Sequence, residues 1–145
     1  MFKKILIPVD GSEASWKALE YAKQLATKFS GDVVIVNVVQ PYYSASLVAM
    51  PLDNVFAGQN DNALQNGEMI LQIAKEKMAD FPGDYECRLE KGHPSERILA
   101  VTRENACDAV VIGSRGLSGV AEFFLGSVSS KVSEHSKVPV VIVKG

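Results

Sequence analysis

Four glycines stand at positions 113, 116, 119 and 126 of the stretch IGSRGLSGVAEFFLGSVSSKV, and Ser127, Ser129 and Ser130 follow the last of them. A glycine inside regular structure costs roughly 0.5–1 kcal/mol relative to alanine, so this density signals tight turns or a group packed against bare main chain. The chemistry such a stretch offers is anion binding. Consecutive N–H groups between Gly113 and Gly119 can form a nest, and a helix opening at Gly126-Ser127 presents its orphan donors. A second candidate is Pro8-Val9-Asp10-Gly11, which brings a carboxylate to a turn; Arg115, with Lys131 behind it, brings positive charge.

A phosphate held here would have to be held locally. The formal net charge is −2, which leaves no basic excess to bind DNA or RNA by counterion release. Charge-assisted hydrogen bonds contribute about 1.5–3 kcal/mol each and a helix N-terminus roughly 0.3–1 kcal/mol, so three or four donors approach the ~8 kcal/mol of a micromolar complex before entropic costs. Arg115 or a divalent cation would offset the remaining charge. Neither G-x-G-x-x-G nor G-K-[ST] occurs, which weakens the dinucleotide dehydrogenase and P-loop readings. No histidine is placed to activate Ser127 or Ser129 as a nucleophile; His93 beside Pro94, and His135 in a last helical turn, read as structural.

These loops need elements to aim them. Ile5 to Val9 is a short apolar run closed by turn residues, Val33 to Val39 is a second, and Asp108 to Ile112 and Val138 to Val143 are two more. Tyr85, Cys87 and Leu89 alternate with charged neighbours, as on a strand at a sheet edge. Between the strands lie helical spacings: from Ser12 to a stop at Gly31, from Ala63 to about Phe81, from Pro94 onward, and from Ser127 to Ser136. Residues from about 40 to 62 show neither period and are expected to form a long loop, a lid or an unstructured insertion. Strands apolar on both faces and alternating with helices predict an α/β protein, a doubly wound parallel sheet covered on both sides. Ligands then sit beyond the carboxyl ends of the strands, where both candidate loops fall.

With 145 residues and 47% hydrophobic content, one domain over 1–145 is expected. Cys87 and Cys107 are too few for a disulfide framework, and no ligand spacing suggests a metal site. The N-terminal MFKKILIPVDG is too short and too interrupted for a signal or a membrane span, so a cytoplasmic protein without membrane contact is expected.

Gly113-x2-Gly116-x9-Gly126-Ser127 resembles the G-x2-G-x9-G-[S/T] motif of the ATP-binding branch of the universal stress protein family, and KKILIPVDGSEAS, GHPSERIL, ACDAVVIGSRG and VPVVIVKG are similar to that family's blocks. The resemblance implies a five-stranded sheet in the order 3-2-1-4-5. It implies ATP as ligand, with Mg2+ or Mn2+ as the accompanying cation. It implies that Pro8, Val9 and Asp10 border the adenosine, that Val38 packs on the base, that Gly113, Ser114, Arg115 and Gly116 line the ribose and phosphate path, and that Gly126, Ser127, Val128 and Ser129 hold phosphates. It also implies a homodimer through the final strand, residues 138–143, although Pro139 removes one donor there. Two rivals to a nucleotide-dependent stress-response module stay open: a small transferase using Asp10 and Arg115 on an adenylate, and an interaction protein with an empty site. Asp10 has a bland alternative as a helix cap, and Arg115 as a partner of Glu122. Without a Walker-type lysine or an assured general base, at most slow ATP hydrolysis is expected.

Overall fold

The structure, a computed structural model, describes residues 1–40, 53–115 and 125–145, with backbone alone over 53–61. Nine elements follow in order: β1 (Lys4–Pro8), α1 (Glu13–Phe29), β2 (Asp32–Val39), α2 (Asp53–Lys77), β3 (Tyr85–Lys91), α3 (Pro94–Glu104), β4 (Ala109–Gly113), α4 (Ser127–His135) and β5 (Val140–Val143). All strand pairs are parallel and the sheet order is β3-β2-β1-β4-β5. The strands read as unbroken apolar runs because both faces are covered. Ile5, Ile7, Val33, Ile35 and Val111 pack under α1 and α2, while Leu6, Val34, Val36, Val110 and Ile112 pack under α3 and α4. Burying each such side chain contributes roughly 1.5–3 kcal/mol, so alternate residues of one strand hold two helical layers at once.

β1 and β4 are neighbours, yet the helices that follow them lie on opposite faces of the sheet. A crevice therefore opens between the two chains as they part, which is the switch point of a doubly wound sheet. At its β1 side, Asp10 Oδ1 accepts the Ser12 N–H at 2.9 Å, Gly11 takes φ +88°, and the Ser12 hydroxyl caps α1 by accepting from Ser15 N–H at 3.2 Å.

Two expectations require correction. The left-handed residue that ends α1 is Ser30 (φ 53°), not Gly31. Gly31 is needed for a different reason: a Cβ there would lie 2.2 Å from the Phe2 carbonyl oxygen. The long loop expected over 40–62 also extends too far, since α2 begins at Asp53; residues 41–52 fall outside the described residues. No apolar period marks the first part of α2 in the sequence. Gly67 is level with the end of β2, where its Cβ would meet Asn37, Leu89 and Val39, and Ile70 reaches Gly11. Lower down, Lys23 ties α1 to α2 by donating to the Lys77 carbonyl at 2.6 Å and to Asp80 at 2.7 Å, and the Lys77 ammonium lies 5.4 Å from the centre of the Trp16 ring.

Candidate functional site

One cleft at the switch point is lined by Pro8, Val9, Asp10, Val38, Gly113, Arg115, Gly126, Ser127, Val128 and Ser129, ten of the twelve residues singled out by sequence. Ser114 lies behind the wall: its N–H donates to Val143 O at 2.9 Å and its carbonyl accepts from Gly126 N at 2.7 Å. Gly116 lies outside the described residues, as does Glu122. Sequence reasoning missed Asn37 and the apolar pair Pro94 and Ile98, which close the cleft from β2 and α3. Asn37 sits inside an apolar strand run, and a lone polar residue there was the available signal.

The cleft lining combines two kinds of chemistry. Val9, Val36, Val38, Pro94, Ile98 and Ile112 are the apolar lining, with Val9 just past β1, two residues from β2, two from α3 and one from β4. The start of α4 supplies the other. Gly126 is its N-cap with no side-chain cap bond, and its first turn holds no acidic residue. As the first three helical residues, Ser127, Val128 and Ser129 carry amides with no intrahelical acceptor, at the positive end of the helix dipole. Not every predicted donor is available, because the Gly126 and Ser114 amides bond internally. The Ser129 hydroxyl likewise donates inward, to Ser114 O at 3.0 Å and Gly126 O at 3.1 Å. What remains is a row of three main-chain amides in a cleft that Arg115 also lines.

Asp10 is not the cap of α1, a role that Ser12 fills. One oxygen accepts from Ser12 N–H in the turn before α1, and the residue also borders the cleft. His93 Nδ1 lies 3.1 Å from the Ser95 hydroxyl at the start of α3, a structural setting. Burial raises both thiols, with Cys107 pushed up to about 11, so neither cysteine is a thiolate nucleophile at neutral pH. The cleft encloses about 210 Å³, below the ~300–1,000 Å³ of pockets that bury most of a drug-sized ligand, so a nucleotide would leave part of itself in solvent. Among the described residues no group of three or more His, Cys, Asp or Glu comes together, so Mg2+ or Mn2+ would find Asp10 as its one carboxylate in the cleft. No helix is long and apolar enough to cross a membrane among those residues.

Fold and cleft together define a doubly wound α/β protein with an apolar slot and an anion-suited helix start in one cleft at its switch point. Residues 1–144 match the profile of the Universal stress protein family, and the chain belongs to that family. Universal stress protein YxiE of Bacillus subtilis (strain 168) is 37% identical over 149 residues, covering 99% of this chain and 100% of the relative. Among solved structures, universal stress protein UspA from Lactobacillus plantarum shares the fold with a TM-score of 0.85 at 21% identity, covering 98% of this chain and 97% of that one. A universal stress protein in complex with cAMP superposes with a TM-score of 0.72 at 28% identity, covering 97% of this chain and 96% of that one.

Proposed function

We propose that this chain is an adenine-nucleotide-binding regulatory module with ATP as its ligand, the base in the slot beside Val9 and Val38 and the phosphates at the amides of Ser127 to Ser129. The observation that carries this reading is the opening of an uncapped helix start onto the same cleft as an apolar slot. A heterocycle joined to an anionic tail matches both, and the relative solved with cAMP carries a ligand of that kind. Holding is favoured over turnover by the geometry: one Asp10 oxygen is engaged by Ser12, and the Ser129 proton points inward. Solvent water would support slow hydrolysis at most.

Calorimetric titration with ATP, AMP and cAMP tests the reading, together with acid release and chromatography of any nucleotide that co-purifies. Micromolar ATP binding is expected; an empty site under millimolar ATP leaves the interaction-protein alternative, and an adenylated or transferred product leaves the transferase. The assembly belongs to the same proposal: a cytoplasmic stress-response homodimer paired through residues 138–143. β5 supports it, because among the described residues the sheet pairs this apolar strand with β4 and places it at an edge. Light scattering that finds a monomer at micromolar concentration removes the dimer and leaves the nucleotide site standing.

A further inference from the structure

Asn37 is a 5% exposed polar residue inside the apolar run of β2, and it lines the cleft. The β1–β2 register ends at Pro8 opposite Val36. Val9 still donates its N–H to Val36 O at 2.9 Å, but the chain then turns away through Gly11, leaving the Val9 carbonyl beyond the last strand partner. Asn37 Nδ2 donates to that carbonyl at 2.8 Å. Its Oδ1 lies against α2, 2.7 Å from where a Cβ on Gly67 would stand, so the amide is wedged between the cleft wall and the helix. Because main-chain groups alternate along a strand, the N–H and C=O of Val38 project to the same side as those of Val36, into the space that β1 vacates. Leucine would fill the volume of Asn37 without burying an amide, so what asparagine supplies is the hydrogen bond.

We propose that Asn37 is the positioning residue of the base end: by bonding the Val9 carbonyl in place of a strand partner, it fixes the gap between the Val9 and Val38 main chains in which a planar heterocycle lies. The inference rests on the adenine-nucleotide reading and adds to it a residue that touches the frame of the slot.

The test separates the two ends of the ligand. Adenosine and inorganic tripolyphosphate are titrated independently onto the wild type, Asn37→Leu and Asn37→Asp, each variant checked for folding by circular dichroism. Adenosine affinity is expected to fall at least about tenfold in both variants while tripolyphosphate affinity changes less than about twofold. Unchanged adenosine affinity in a folded variant overturns the role of Asn37 and leaves the nucleotide site intact. Equal loss of both ligands also overturns it, by showing a general loosening. A wild type that binds neither adenosine nor ATP ends the nucleotide reading and the Asn37 role with it. Should neither variant fold, the wild-type Nδ2 protons decide by NMR: they are expected to shift with adenosine and not with tripolyphosphate, and an absence of shift at saturating adenosine overturns the proposal.

Discussion

At the two ends of the segment that follows β4, Gly113 and Gly126 both line the cleft, yet a side chain would meet different surroundings at each. A Cβ on Gly113 would stand 3.0 Å from the carbonyl carbon and oxygen of Ala14, backbone atoms of the first turn of α1. The fold favours glycine there, because α1 crosses β4 so closely that a side chain would press on three atoms of Ala14 within 3.1 Å. Gly126 has φ −62° and ψ 159°, which any residue adopts, and a Cβ there would meet Ser114 O at 3.3 Å and nothing else nearer than 3.5 Å. A shift of a few tenths of an ångström would accommodate it. The protein's own packing weighs less on this position than on Gly113, and under the proposed function the bare position leaves room for phosphate. Glycine spacing alone cannot separate a residue excluded by a neighbouring helix from one left open for a ligand; the distance to the nearest protein atom does.

The comparison breaks if the two glycines respond alike. Gly113→Val is expected to cost about 3 kcal/mol of stability by overpacking against main chain that cannot move, read as a lowered urea midpoint at unchanged slope. Gly126→Val is expected to leave stability within about 1 kcal/mol of wild type while weakening ATP by at least about tenfold, a split visible by pairing calorimetry with denaturation. A Gly126→Val protein that unfolds as readily as Gly113→Val would remove the distinction. Ser129→Ala sharpens it, since losing the bonds to Ser114 O and Gly126 O should cost about 1 kcal/mol and loosen the helix start without adding bulk. The smallest effect concerns charge: raising salt from about 0.1 to 1 M, which shortens the screening length from about 10 to 3 Å, should weaken ATP a few-fold and leave adenosine unchanged.

The layers were legible because each strand buries both faces, which produces unbroken apolar runs, and because turn residues stand at the strand ends. Sheet order came from family blocks rather than from periodicity, which carries no record of which strands adjoin. The start of α2 was illegible because residues 53–62 carry no apolar repeat that would mark a helix. In the cleft, Asp10, Gly126 and the serines of α4 announced themselves by type and position. Asn37 stood out only as a lone polar residue in an apolar run; that it bonds the Val9 carbonyl past the end of β1 is encoded by no local pattern. Pro94 and Ile98 likewise read as an ordinary helix start until α3 packs beside β2.

Trp16, the sole tryptophan of the chain, gives the α1–α2 seam an optical consequence. Its neighbour Ser15 lines the cleft, whereas the indole packs with the α1–α2 layer under the Lys77 ammonium. Intrinsic emission from this protein is therefore a gauge of how the two helices sit together rather than of cleft occupancy. A ligand that changes the packing of α1 on α2 is expected to shift the indole emission.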